Sequence, residues 1–449
     1  MKREASKKPY RVTRLLGCAI FAASGMALGG CSSGLPQLPS LFGASEEARL
    51  PGTRVSVLKA EDGDITSSIE AKGPVTLPPA QTNLSWSQPG GAPSNAPGHL
   101  AMAGAVKSVW TASAGEGSSK RSRLIAVPIV YENKVYTLDS EGNVAATSAA
   151  NGGSVWRVSL KPEKERGRAG YGGGLAADGG RIYAATGFGT VVALDAGSGR
   201  VIWSKVLGIP IRQSPTVAEG RIFVVNSDSQ LYALSAQDGS ELWTASGLPE
   251  GAAILSNASP AVSGNVVIVP YPSGEVAAFD VKTGTPKWSE SMGGGDITTS
   301  LSGIGMVARP VVDRDTVFAV SRSGRLTATA KDSGERLWAR EISASQTPWV
   351  AGDMLFVVDV SGKLLALTRK DGKIKWVTAL PDSGTWSGPV LAGGKLWLAS
   401  SKGLLVGVDA TTGNVASQSD VGAPVLITPV VANNRLYVLT DKARLIAMN

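Results

Sequence analysis

From about residue 128 to the C-terminus, short apolar runs alternate with polar positions, as in Arg221-Ile222-Phe223-Val224-Val225 and Gln230-Leu231-Tyr232-Ala233-Leu234. Runs of this length and alternation predict half-buried β-strands. They recur in phase. Taking Pro128, Leu175, Pro215, Pro260, Pro310, Pro348, Pro389 and Pro429 as starting points, the eighth residue on is Tyr136, Tyr183, Phe223, Ile268, Phe318, Phe356, Trp397 or Tyr437. The fourteenth is a turn residue: Gly142, Gly189, Ser229, Gly274, Gly324, Gly362, Gly403, Ala443. The twenty-fourth is Gly wherever the chain reaches that far: Gly152, Gly199, Gly239, Gly284, Gly334, Gly372, Gly413. The twenty-eighth is Trp156, Trp203, Trp243, Trp288, Trp338 or Trp376, with Ser417 the one departure.

Each unit therefore predicts a four-stranded antiparallel meander. The two Gly columns mark hairpin turns that need φ > 0. Asp195, Asp280 and Asp409, four residues before the second Gly, are placed to close that turn through Asx hydrogen bonds. A four-stranded sheet cannot bury both faces alone, so stacked repeats of this kind predict an all-β propeller, with the Trp packed between blades. The last unit stops at Asn449 after three strands. Ala105 to Trp110 has the Trp column but no preceding repeat, so it is the expected donor of the missing fourth strand. That gives an eight-bladed ring closed by both termini with no open sheet edge. A seven-bladed ring with a stray hairpin is the alternative.

Composition changes this picture mainly at the N-terminus. The 449 residues carry a net charge of +8, but Lys2, Arg3, Lys7, Lys8, Arg11 and Arg14 stand against Glu4 in the leader, so the body is nearly neutral and nucleic-acid binding is not indicated. Cys18, Cys31 and His99 are the only Cys and His residues. Disulfide frameworks, Cys/His zinc sites and a His-dependent triad in the repeats are excluded. A basic stretch to residue 14 and an apolar run from Leu15 to Leu28 form a signal peptide over 1–30, too short to span a bilayer. Residues 31–99, rich in Pro, Gly, Ser and Ala, read as a tether ending in a solvated His99, and 100–449 as the propeller.

Two resemblances add to this. Leu28-Gly29-Gly30-Cys31 resembles the lipobox of bacterial lipoproteins, which implies diacylation of Cys31 and, with Ser32 next, delivery to the outer membrane; an ordinary secretory signal with an incidental Cys is the alternative. Ala193-Leu194-Asp195 to Gly199 to Trp203, repeated from Ala278 to Trp288, is similar to the quinoprotein-type (PQQ-like) propeller repeat. Within that superfamily the lipobox and the eight units resemble the BamB family, lipoprotein subunits of the outer-membrane β-barrel assembly machinery. The resemblance implies a non-enzymatic scaffold, without cofactor or metal, on the periplasmic face of the outer membrane. The competing class is a quinone-dependent periplasmic dehydrogenase. Against it, no pair of carboxylates stands out at corresponding repeat positions, and Gly172 to Gly174 and Gly293 to Gly295 match neither phosphate-loop nor dinucleotide patterns.

A binding face is found where the repeats vary. Only the connection from each Trp to the next unit changes much in length, and the long ones are 157–174, 244–259 and 289–309. In a propeller all of these emerge on one face, where function is usually carried. The family resemblance aligns a partner-binding Leu-x-Leu-Arg run with Ala252-Ala253-Ile254-Leu255, which keeps apolar residues and lacks the Arg, and an acidic second loop with Gly305-Met306, where the acidic residues are absent. It implies Ala252, Ile254, Leu255, Met306 and Arg309 as contacts to periplasmic domains of the barrel-forming subunit. Loop packing against the blade is the alternative for Ile254 and Leu255. Lys161 to Arg168 form an expected charged rim.

Overall fold

The computed structural model describes residues 69–102, 106–165, 170, 172–248, 258–293 and 307–449. The strands group into eight four-stranded antiparallel sheets. Blade one is Ile129–Tyr131, Lys134–Leu138, Asn143–Ser148 and Ser154–Ser159. Blades two to seven repeat that order over residues 173–206, 216–246, 261–291, 311–341, 349–379 and 386–420. Blade eight takes Val430–Ala432, Arg435–Leu439 and Arg444–Met448 from the C-terminus and Ser108–Ser113 from the N-terminal side. The closing strand pairs Trp110 with Ala447 and Ala112 with Leu445, and Lys107 and Asn449 exchange backbone bonds at 2.6 and 3.0 Å. An eight-bladed ring closed by both termini is thus what forms.

First strands of neighbouring blades lie against one another around the axis, and fourth strands are the exposed rim. A row of side chains crosses each blade from strand two to strand four. In blade three it is Phe223, Ala233 and Trp243, and the Phe and Trp rings meet at 5.8 Å between centroids. Ala faces the Trp in seven blades: Ala447, Ala146, Ala193, Ala233, Ala278, Ala328 and Ala366. A bulge just before each Trp turns the indole out of its own sheet toward the next blade and leaves the bulged residue exposed, as at Val155, Ile202, Leu242 and Leu337.

There the indole docks. Trp243 Nε1 donates to Val281 O of blade four at 3.1 Å, and its ring lies on Gly284, where a Cβ would approach within 2.6 Å. The same pair of contacts joins Trp110 to Ala149 and Gly152, Trp156 to Ala196 and Gly199, and Trp203 to Ala236 and Gly239. It also joins Trp288 to Lys331 and Gly334, Trp338 to Arg369 and Gly372, and Trp376 to Ala410 and Gly413. The second Gly column thus has two causes, a left-handed φ (+71° at Gly284) and the indole stacked on it. Expected as buried, six of these Trp are only half-buried, and Trp376 alone is buried. The reason is that each sits on the rim strand, with one ring edge left to solvent. The Asx turns form as expected: Asp280 Oδ1 accepts the N–H groups of Lys282 and Thr283 at 2.9 and 3.0 Å.

The tether expected to run to His99 is corrected for its last thirty residues. Residues 69–102 belong to the same compact unit as the ring. Glu70 and Ala71 bond Ile374 O on the outer edge of blade six, Val75 is buried, and Trp86 and Leu100 are almost wholly buried. His99 is half-buried, with both ring nitrogens engaged, instead of a free loop residue. Its Nε2 accepts Gly394 N–H at 3.0 Å, which leaves Nδ1 to donate to Pro78 O at 2.7 Å. Lacking periodicity, this segment reads as linker, yet its Pro and Gly residues let an extended chain follow a curved wall.

Candidate functional site

Antiparallel blades put the turns between strands one and two, and three and four, at one end of the ring. The turns between strands two and three emerge at the other end, with the connections from strand four to the next blade. The described ends of all three long connections therefore lie on one face, and these stems are fixed to the blades beneath. After Trp243, Gly247 N–H bonds Ser229 O at 2.8 Å and lies on the buried Tyr271 ring, and Leu248 N–H reaches Glu275 Oε2 at 3.2 Å. Burial pushes the Tyr271 hydroxyl pKa up, so the ring is a neutral platform. On the return, Ala258 O accepts Ser214 N–H at 3.0 Å.

The third connection is held at both ends by one turn of blade five. Met292 O accepts the Ser321 and Ser323 hydroxyls at 2.9 and 3.0 Å, and Val307 bridges Ser321 from the other side. Of the sequence-derived contact residues, Ala252, Ile254, Leu255 and Met306 lie outside the described residues. Arg309 is described, and its assignment to the exposed contact surface is corrected: it is 4% exposed. Its Nε donates to Ser259 Oγ at 2.9 Å and a terminal nitrogen to Thr347 Oγ1 at 3.4 Å. Those three residues stand just before the anchor Pro of blades four, five and six, so one guanidinium ties the roots of three successive connections. Desolvation pushes its pKa down to about 10, which leaves it charged at neutral pH. In the first long connection, Glu163–Glu165 is a short 3₁₀ turn and Lys161 is drawn back onto Glu141 at 3.0 Å. Arg166 and Arg168 lie outside the described residues.

Sequence reasoning missed Arg309 as a cross-tie because a charged residue in a long loop reads as surface. The signal was its place directly before an anchor Pro, beside the axis. Among the described residues no group of three or more His, Cys, Asp or Glu side chains is placed to hold a metal ion.

A ring of eight such four-stranded blades built on this repeat defines a quinoprotein-type propeller. A family model described as outer membrane protein assembly factor BamB matches residues 140–378 and 379–449, and the chain belongs to that family. Among curated relatives it is 26% identical over 241 residues to the assembly factor BamB of Nitrosomonas eutropha, covering 54% of this chain and 56% of the relative. It is 27% identical over 337 residues to BamB of Yersinia pestis, covering 74% and 85%. The fold superposes on the crystal structure of BamB from Moraxella catarrhalis with a TM-score of 0.67 at 17% identity, covering 77% of this chain and all of that one. It also superposes on quinohemoprotein alcohol dehydrogenase from Comamonas testosteroni with a TM-score of 0.66 at 12% identity, covering 82% and 81%, a likeness of fold alone.

Proposed function

We propose that the protein is a non-enzymatic assembly factor of the outer membrane, a scaffold that binds periplasmic domains of the barrel-forming subunit of the β-barrel assembly machinery. Membership of the BamB family supports the role. The observation that carries the proposed mode of action is the loop face: connections of unequal length rise from pinned stems, two of which are tied together through Arg309 and Ser259. Pre-ordered stems reduce the ordering cost of binding, and apolar anchors at loop tips supply most of the affinity. Ile254 and Leu255 are the proposed anchors, with Ala252 and Met306 as further proposed contacts and the charged 161–168 stretch steering rather than holding. Cys31 is the proposed site of acylation, each buried CH₂ contributing about 0.8 kcal/mol to membrane attachment on the periplasmic face. No nucleic-acid partner is proposed.

The dehydrogenase alternative rests on shared fold. The described side chains do not fit a metal-bound quinone centre, since they bring no set of carboxylate or imidazole donors together. The test is co-purification from solubilised outer membrane. Ile254→Asp with Leu255→Asp is expected to remove the barrel-forming subunit from the eluate at unchanged melting temperature. Retention of that subunit at the level of the unaltered chain, with the variant folded, would place the binding face elsewhere.

A further inference from the structure

The first strand of every blade leaves one edge facing the axis, and a ring of unpaired backbone groups needs a partner. A single pass of residues 83–100 supplies it, meeting the blades in ring order. Asn83 Nδ2 donates to Val431 O of blade eight at 2.8 Å. Trp86 exchanges both backbone bonds with Val130 of blade one, at 2.7 and 2.9 Å. Ser87 O accepts from Ala177 of blade two at 2.8 Å. In blade three the Gln88 carboxamide does what a strand residue would, donating to Val217 O at 3.0 Å and accepting Val217 N–H at 3.1 Å. Pro93 O takes the N–H of Val262 in blade four at 2.8 Å, and Ser94 O that of Val312 in blade five at 2.9 Å. Gly98 O accepts the Trp349 indole of blade six at 2.9 Å, and Leu100 N–H reaches Leu391 O of blade seven at 3.1 Å.

In every blade but the sixth, the residue engaged is the same repeat position, two after the anchor. Blade six instead offers Trp349, on which Trp86 stacks with centroids 6.2 Å apart and planes 21° apart. A linker resting on a surface does not find one equivalent backbone position seven times.

We propose that the axial mouth is a binding site for an extended polypeptide, filled in cis by residues 83–100, and that this filled site holds the ring to its N-terminal segment. The site engages its occupant through main chain at every blade but the sixth, an indole against Trp349 at the sixth, and carboxamides at Asn83, Gln88 and Asn95, the last donating to Pro310 O at 2.9 Å. The consequence is mechanical. Were the pass absent, tension from the N-terminal side would act at Lys107 and peel Ser108–Ser113, the one rim strand with no turn joining it to its blade. With it, tension meets Glu70, held by Arg340 at 2.9 Å, and then all eight blades. None of this depends on the assembly role.

The test keeps the full chain, with an affinity tag between Ser33 and Gly34 and a sequence-specific protease site replacing residues 103–105. After complete cleavage the ring, 106–449, is expected to stay on the resin through the tagged fragment. Trp86→Ala with Leu100→Ala is expected to let it wash off at least tenfold faster. Immediate release of a ring that keeps its circular dichroism spectrum overturns the proposal. Hydrogen exchange on the uncut chain decides the matter should cleavage unfold the ring. The N–H groups of Val130, Ala177, Val217, Val262 and Val312 donate only into the site, and are expected to be protected at least 100-fold. Exchange at the rate of exposed turn amides overturns it as well.

Discussion

The joint between blades three and four and the joint between blades seven and eight occupy equivalent places in the ring and are built differently. At the first, Trp243 crosses to the turn at Val281 and Gly284. At the second the residue is Ser417, and no indole crosses. The receiving turn explains the difference. It joins strands three and four of the next blade, and in blade eight those strands, Arg444–Met448 and Ser108–Ser113, come from far apart in the sequence, with no turn between them. An indole there would have neither a carbonyl to donate to nor a glycine to lie on. The row inside blade seven is rebalanced to match: Trp397, Gly407 and Ser417 replace aromatic, Ala and Trp, so the large ring moves from strand four to strand two. Gly407 makes room, since a Cβ there would come within 3.0 Å of the Trp397 ring. Row volume is kept while its distribution changes, as close-packed interiors require.

The largest test of this contrast is to break the regular joint. Trp243→Ala removes a half-buried ring and an indole hydrogen bond, and is expected to cost about 3 kcal/mol, at the lower end for aromatic truncation because the ring is not fully buried. Gly284→Ala is expected to cost about 2 kcal/mol, combining a left-handed φ with a Cβ driven into the Trp243 ring. Because both act on one contact, the double variant should cost clearly less than the two together in denaturant melts. Simple additivity would show that ring and glycine are not coupled.

Blade number, strand order and closure were legible because each repeat position does the same physical work eight times, and the sequence repeats with it. Even the Ala that faces each Trp stands inside the motif, at Ala193 and Ala278. The exception at Ser417 was visible as a departure, but its cause lies in closure: only when the termini meet is a turn seen to be missing. The axial segment was illegible for the converse reason. Trp86, Gln88, Ser94 and Leu100 each satisfy a different blade once, mostly through main chain, so no period marks them. Loop length pointed to the candidate face, whereas the burial of Arg309 between Ser259 and Thr347 was marked only by its place directly before an anchor Pro, a position that as a charged residue in a long loop still reads as surface.

The converse substitution sharpens the comparison with a smaller effect. Ser417→Trp restores the repeat consensus, and a column of seven Trp would suggest a gain. The packing predicts a loss of about 1–2 kcal/mol, since the space over Gly407 is already filled by Trp397 and the new indole N–H finds no acceptor. A higher melting temperature for this variant would mean that the closing joint tolerates the regular design and that Ser417 is incidental.

Acid should separate the two kinds of joint with the smallest effect. In the regular turns, carboxylates accept hydrogen bonds that favour their charged form. The Ser240 N–H lowers Asp238 to about 2, and the Thr368 hydroxyl does the same for Asp371. The Thr283 N–H lowers Asp280, and the Ser198 hydroxyl lowers Asp195. A carboxylate depressed below its ordinary 3.8 contributes stability that is complete above about pH 4 and is lost as pH falls through about 2. These side chains are exposed, so each step is slight. The closing joint has no such turn, because its third and fourth strands are not consecutive in the sequence. Between pH 4 and 2, exchange protection at the Lys282, Thr283 and Ser240 amides should therefore fall while that of Thr111 and Ile446, paired across the closing strand, stays level. Asp280→Asn, which cannot take up the proton, should flatten the acid response of its own turn alone. Equal loss at both joints would mean that acid acts on the ring through its net charge and not through these turns.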